Sequence, residues 1–462
     1  MVQSLKDFSR PYFIGIAGTG MSAIAQYLQG IGMQVAGSDR EFSKATVAST
    51  KSKLEQAGVT CYPQDGSGMI DAIDLVVVSS AIESTVQEVV IAKERGIPII
   101  HRAALLALIA SSKKTIAVAG TSGKSTTAAM LFDILEVGGL SPSIISGAGL
   151  TRIIQQGKIG NAVVGQGEWL VIEADESDGS IVNYHPEIGL LLNVDKDHDE
   201  IKTLLELFAK FQKNSTHFSV NCSHPIAASL SLYAENDFAV KDNVPVSPTI
   251  GYSADHFLQK GISIQFTINE ISFTLQQLGR HNMENALAAT AVANQVGVSL
   301  ENCATALKQY QGIFRRHQIL GTKNGVVVID DYAHNPAKCA AAISACHPLA
   351  PKVIAWFQPH GYKPTRFLRT DFVESIAKAL RPGDEIWMSE IYYAGGTAVK
   401  DISAGDLIQD LNLLGANAYF IEDRSQFTDA VRSHLTNECV LLLMGARDPS
   451  LEDFSKEVFK KL

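Results

Sequence analysis

The stretch TIAVAGTSGKSTT, residues 115–127, carries the clearest chemistry in the sequence. An apolar run leads into Gly120, Thr121, Ser122 and Gly123; Lys124, Ser125 and Thr126 come next, at the start of a helical pattern. Strand, glycine loop and helix start form the arrangement in which backbone N–H groups converge on a phosphate. Lys124 adds a full positive charge and the Ser125 hydroxyl a ligand for magnesium. The spacing is a shortened G-T-x-G-K-S, not the full G-x-x-x-x-G-K-[ST]. A glycine-rich turn with a solvated lysine is the competing reading; the strand before, the helix after and the Ser-Thr-Thr run favour a phosphate loop.

Other reactive residue types fall at predicted strand ends. Glu173 closes the apolar run WLVIE and precedes Asp175, Glu176 and Asp178. A carboxylate at the end of a parallel strand next to the loop suits a magnesium ion, whereas a solvated acidic loop would need no such placement. The run IGLLL ends in Asn193, Asp195, Asp197 and His198, and His198 is a candidate for metal or phosphate. In GRHNMENALAA, Asn282 and Asn285 can either pair with an adenine edge or cap the helix. Arg315, Arg316 and His317 lie at a break, where an arginine can reach a γ-phosphate or form part of a surface basic pair. Asp330, Asp331, Tyr332 and His334 follow the strand VVVID, and His360, Lys363 and Arg366 follow VIAWF. Together these two clusters are expected to line one face of a cleft opposite the phosphate loop.

The elements that must position these groups alternate between strand and helix, which implies parallel α/β sheets. A first segment has a strand at 13–17, the turn Gly18-Thr19-Gly20, a helix from Met21 to Ile31, and further strands at 34–37, 74–80 and 98–100. A second opens at 115–119 and includes 169–173, 188–192 and a hairpin about Asn269-Glu270. Residues 312–325 read as a break, after which strands at 326–330, 353–357, 385–389 and 439–444 make a third α/β segment. At about 150 residues per domain, a chain of 462 residues also suggests three.

Composition excludes several classes. Acids outnumber bases 48 to 39, so no basic excess exists to neutralise nucleic acid or an anionic membrane. Apolar runs such as Ala103–Ala110 are too short to span a bilayer, and the polar start MVQSLKDFSR has no signal core. Six scattered cysteines without a C-x-x-C pair fit reduced thiols in a cytoplasm.

These motifs, in this order, resemble the Mur ligase family over the whole chain. AGTSGKSTT is similar to that family's AGTHGKTTT; IEADESD, the run Asn193–His198, GRHNMENALAA and DDYAHNP each match a further block. GIAGTGMSAIAQYL, VAGSD, VVVSSAIE and FQPHGYKPTR are similar to blocks of the alanine-adding branch, although Ser122 replaces a histidine and Gly361 an arginine. The resemblance implies three domains: a Rossmann-like UDP-sugar domain (1–112), a central P-loop ATPase-type α/β domain with an antiparallel β portion (113–318), and a Rossmann-like amino-acid domain (319–462). It implies ATP-dependent ligation of L-alanine to UDP-N-acetylmuramate through an acyl phosphate, with a recycled tripeptide as the alternative amine. The expected state is a cytoplasmic monomer or homodimer.

Residue roles carry over from the same blocks. Gly120 to Thr126 would bind ATP, with Lys124 on its phosphates and Ser125, Glu173 and His198 on Mg²⁺. Asn282, Asn285, Arg316, Asp331 and Tyr332 would complete the nucleotide site. Gly18, Thr19, Gly20, Met21, Ser38, Asp39, Ser79 and Ser80 would bind the UDP-sugar. His334, His360, Lys363 and Arg366 would receive the amino acid. Lys124, Glu173, His198, Arg316 and His334 form the expected catalytic set.

Overall fold

Pro11–Ile14 is buried along its length and forms the middle strand of a five-stranded parallel sheet. The order is Thr60–Pro63, Ala36–Asp39, Pro11–Ile14, Leu75–Val78, Ile99–His101. The computed structural model describes residues 2–42, 45–196, 200–241, 249–393 and 399–462. The first strand ends earlier than its apolar run suggests. Gly15 turns the chain at φ 78°, a conformation glycine adopts without strain. The N–H groups of Gly15 and Ile16 then both donate to the Ser38 carbonyl, at 2.8 and 3.0 Å.

The central sheet has six strands: His217–Val220, Ile188–Leu191, Lys114–Ala119, Trp169–Glu173, Ser143–Ile145, Ala162–Val163. All neighbours are parallel except the last pair. The strand leading into the phosphate loop therefore lies between the strands that end near Asn193 and at Glu173, and their C-terminal ends flank the loop. A smaller sheet runs Phe238–Val240, Tyr252–Lys260, Ser263–Ile268, Ile271–Leu275. Its expected hairpin turns at Asn269 and Glu270, both at positive φ (45° and 69°), as a two-residue turn of the favoured twist requires.

A third large sheet runs Gln318–Lys323, Val326–Asp331, Cys439–Gly445, Lys352–Gln358, Glu385–Met388, Asn417–Phe420, parallel but for its first pair. Its first strand occupies residues read from the sequence as a break. Gly321, Thr322 and Lys323 interrupt the apolar alternation there. The turn at Asn324 and Gly325, at φ 52° and 77°, pairs those residues with Val326–Asp331 all the same.

Contacts divide the chain into two units. One comprises Met1–Asp255, Thr267–Phe273 and Glu284–Ile313; the other, His256–Phe266, Thr274–Met283 and Phe314–Leu462. Residues expected to form a first and a central domain thus share one unit. Asn161 Nδ2 donates to the Thr19 carbonyl and Ser22 Oγ, Gln26 Nε2 donates back to Asn161 Oδ1, and one apolar cluster includes Leu105, Ile109, Ile181 and Tyr184. Among the described residues no helix is long and apolar enough to cross a membrane.

Candidate active site

The phosphate loop is held from both flanking strands. On one side, Asn193 Oδ1 accepts from Thr121 Oγ1 (2.9 Å) and the Ser122 N–H (2.8 Å), and its amide donates to the Ser122 carbonyl (3.0 Å). Thr121 Oγ1 in turn accepts from the Asp195 N–H. On the other side, Glu173 Oε2 accepts from Ser125 Oγ at 2.7 Å, while its Oε1 accepts from Ser146 Oγ and the Gly147 N–H. Two hard oxygens, one hydroxyl and one carboxylate, are thereby fixed side by side at the start of the helix Lys124–Val137. That donor set fits Mg²⁺. The sequence alone gives Asn193 and Ser146 no individual role. Asn193 was visible only as a polar strand end, and Ser146 had no motif at all.

Lys124 Nζ donates to the Gly120 carbonyl (2.7 Å) and to Glu176 Oε2 (2.8 Å), with Asp175 at 3.8 Å. Burial on its own would favour loss of the Lys124 proton, but Glu176 and Asp175, and then Glu173, outweigh it and hold the ammonium charged. Glu176 is 3% exposed and was read from the sequence only as part of an acidic loop. His198 and Asp197 lie outside the described residues.

Asn285 packs directly on the loop. Its Oδ1 accepts from Thr127 Oγ1 at 3.2 Å, and a Cβ on Gly123 would come within 2.5 Å of that oxygen. Gly123 also has φ 87°. Gly123→Ala should therefore distort the loop and raise the apparent KM for ATP by at least about tenfold, a shift of about 1.4 kcal/mol, with far-UV circular dichroism unchanged. Titration with a non-hydrolysable ATP analogue checks this; an unaltered Kd would contradict it. Asn282, the other asparagine of that block, bonds locally. It is 3% exposed and its amide donates to the Leu278 carbonyl at 2.8 Å, a local helix-start bond.

In the first sheet the glycine turn is accessible at Gly18 and Thr19, and Gly18 caps the helix Thr19–Gly30 without a side-chain bond. Two expected sugar contacts point elsewhere. Ser38 is fully buried with its hydroxyl donating to Glu88 Oε1, and Met21 is 3% exposed in the core. Asp39 accepts from the N–H groups of Ala17 and Glu41, which fixes the turn. Ser79 and Ser80 follow the strand Leu75–Val78 and are partly or fully exposed.

In the second unit the two neighbouring arginines separate. Arg315 is 6% exposed, forms a two-pronged ion pair with Asp330 (2.9 and 3.1 Å) and donates to the Gly445 carbonyl. Arg316 is partly exposed and stacks over Tyr332, 5.0 Å from the ring centre. Asp331 accepts from the N–H groups of His317 and Ala333. His334 and His360 come together, ring centres 5.6 Å apart. Two arginines that follow His360 in sequence are in ion pairs. Arg366 pairs with Asp401 and Arg369 with Asp410, both pairs being open to solvent. Lys363 is exposed.

His334 Nδ1 lies 2.9 Å from the Tyr332 carbonyl, so Nδ1 carries the proton and Nε2 a lone pair. Burial, then Lys338, push this imidazole well below the usual histidine range; burial and His317 take His281 down to about 3. Both stay neutral in the fold, while in the unfolded chain each titrates near about 6.5. The unfolded chain therefore binds more protons as pH falls below that value, and stability is lost from about pH 6.5 towards 3. Urea melts at pH 7.5 and 5.0 check this. The midpoint should be lower at pH 5.0, and a higher one would contradict the burial.

A phosphate loop between two strand ends, beside a fixed hydroxyl–carboxylate pair, defines a nucleotide-dependent α/β enzyme. The comparisons narrow the class. Residues 10–114 match the Mur ligase family catalytic domain, 118–293 the Mur ligase middle domain, and 315–447 the Mur ligase glutamate ligase domain. The chain is 35% identical to the UDP-N-acetylmuramate–L-alanine ligase of Pelotomaculum thermopropionicum over 95% of this chain and 94% of that one. The same figures hold for the ligase of that name from Dictyoglomus turgidum. Among solved structures, the UDP-N-acetylmuramate–alanine ligase of Thermotoga maritima has a TM-score of 0.78 at 24% identity, covering 98% of both chains. A murein peptide ligase from Psychrobacter arcticus has 0.68 at 21%, also over 98% of both. The chain belongs to the Mur ligase family.

Proposed function

We propose that this chain is an ATP-dependent, ADP-forming amide ligase that joins L-alanine to the lactyl carboxylate of UDP-N-acetylmuramate, in peptidoglycan precursor synthesis in the cytoplasm. The observation that carries this is the phosphate loop, with Lys124 and Ser125 set against Glu176 and Glu173, in a chain that matches alanine-adding relatives nearly end to end. Residues 1–112, 113–318 and 319–462 are assigned to the UDP-sugar, ATP and amino acid respectively.

A carboxylate does not react with an amine at neutral pH, because oxide is too poor a leaving group. The lactyl oxygen attacks the γ-phosphorus, the bond to ADP breaks, and an acyl phosphate forms. The neutral amine of alanine then attacks the acyl carbon, the C–O bond to phosphate breaks, the leaving phosphate carries off the nitrogen's proton, and an amide remains. Lys124 and the loop N–H groups offset the charge that develops on the phosphoryl oxygens. Ser125, Glu173 and His198 would hold Mg²⁺, which when bound screens phosphate charge. Arg316 is assigned to the γ-phosphate. Asn285, Asp331 and Tyr332 are assigned to the nucleoside, and the turn Gly18–Gly20 with Asp39 to the UDP-sugar.

His334, whose Nδ1 is held against the Tyr332 carbonyl, is assigned to accept a hydrogen bond from the alanine nitrogen through Nε2. Lys363, Arg366 or Arg369 is assigned to meet the alanine carboxylate. A methyl or hydroxyl difference in a small pocket discriminates by only about 1–3 kcal/mol. L-Serine and glycine should therefore react, with lower kcat/KM than L-alanine. Phosphate release with ATP, UDP-N-acetylmuramate and single amino acids tests the reading. Release with the recycled tripeptide and none with L-alanine would replace it.

A further inference from the structure

Gly20 is a glycine for a reason unrelated to turning the chain. It lies inside the helix Thr19–Gly30, and a Cβ there would meet the Arg102 guanidinium, 3.0 Å from one terminal nitrogen and 3.3 Å from Cδ. The missing side chain lets Arg102, the first residue of the helix Arg102–Ser111, come close against Gly20 at the end of the turn. The partner of Arg102 is Asp178, with Nη2 3.5 Å from Oδ2 and side chains 27% and 31% exposed. Asp178 belongs to the same acidic loop as Glu176, which holds Lys124. One short loop therefore supplies counter-ions to two cations, one at the phosphate loop and one at the glycine turn.

The two pairs differ in a telling way. The Lys124–Glu176 contact is short, at 2.8 Å, and its carboxylate is almost wholly buried. The Arg102–Asp178 contact is longer than a hydrogen bond and open to solvent, so it is weak and replaceable. Asp178 is itself occupied at Oδ1, which accepts from the Ser180 N–H at 2.9 Å, so it stays in place when the arginine turns to another anion. A guanidinium offers several N–H donors in a planar fork suited to phosphate or carboxylate oxygens.

Resting on the reading that the glycine turn binds the UDP-sugar, we propose that Arg102 is a binding residue for an anionic group of that substrate, and that Asp178 is the counter-ion the substrate displaces. Removing Asp178 then has the opposite sign from removing Arg102. Asp178→Asn takes away a competing carboxylate and a repulsive charge, whereas Arg102→Ala takes away the cation. A purely structural ion pair would give losses of the same sign in both variants.

Calorimetric titration of the full chain with UDP-N-acetylmuramate tests this, with ADP–magnesium as a control ligand. Asp178→Asn should bind the UDP-sugar about threefold more tightly, the scale of a weak exposed ion pair. Arg102→Ala should bind it at least about tenfold more weakly, with Arg102→Lys in between, and all three variants should bind ADP within twofold of wild type. Should Arg102→Ala fail to fold, Asp178→Asn and Arg102→Lys carry the test alone. Weaker UDP-sugar binding in Asp178→Asn would overturn the proposal, as would wild-type binding in a folded arginine variant. If the wild-type chain binds ADP but no UDP-sugar, the functional reading of the turn fails, and the proposal fails with it.

Discussion

Lys124→Ala should lose at least about a thousandfold in turnover, about 4 kcal/mol of barrier. No other full charge is placed on the phosphate loop to meet the transferring phosphoryl group. The same change should also cost stability, because it strands Glu176, which is 3% exposed and loses its only ion-pair partner among the described residues. Breaking a buried pair from one side costs about 3–5 kcal/mol. The double variant Lys124→Ala/Glu176→Gln separates the two effects. Its urea midpoint should recover most of the loss, and its turnover should recover none. Recovery of turnover along with stability would mean that Lys124 serves the fold and not the phosphoryl transfer.

Arg315→Ala and Arg316→Ala should fail in different ways although the residues are adjacent. Arg315 neutralises Asp330, which is 2% exposed, and also bonds the Gly445 carbonyl on the neighbouring strand. Its loss leaves an uncompensated buried carboxylate and should lower unfolding free energy by about 3–5 kcal/mol. Among the described residues Arg316 has its stacking on Tyr332 and no ion pair, so its loss should change stability by under about 0.5 kcal/mol. It should lower kcat at least about a hundredfold if it meets the γ-phosphate. Chemical denaturation and steady-state kinetics on both variants decide this; an unstable Arg316→Ala or a stable Arg315→Ala would reverse the assignment.

The contrast between these arginines marks what could be read from sequence. The two have the same type and neighbourhood, and only the pairing of Val326–Asp331 with Cys439–Gly445 puts a carboxylate and a carbonyl in reach of one of them. The phosphate loop was legible because its parts are contiguous: a strand, two glycines, a lysine, a helix. Its supports were not, since Asn193 lies 71 residues from Ser122 and Ser146 27 residues from Glu173. Ser38 belongs to a recognisable block, yet strand alternation turns its side chain to Glu88. Arg366 had the right charge in the right block, but its ion pair with Asp401, 35 residues on, was not legible there. The hairpin at Asn324-Gly325 carried a readable turn signal that the polar residues before it obscured.

The most direct test of the central claim uses UDP-N-acetylmuramate labelled with oxygen-18 in the lactyl carboxylate, incubated with ATP, magnesium and L-alanine. Mass spectrometry of the products should show the L-alanyl amide of the UDP-sugar and one labelled oxygen in the released phosphate, carried there by the acyl phosphate. Amide formed with unlabelled phosphate, or labelled phosphate released only when a peptide replaces L-alanine, would contradict the account.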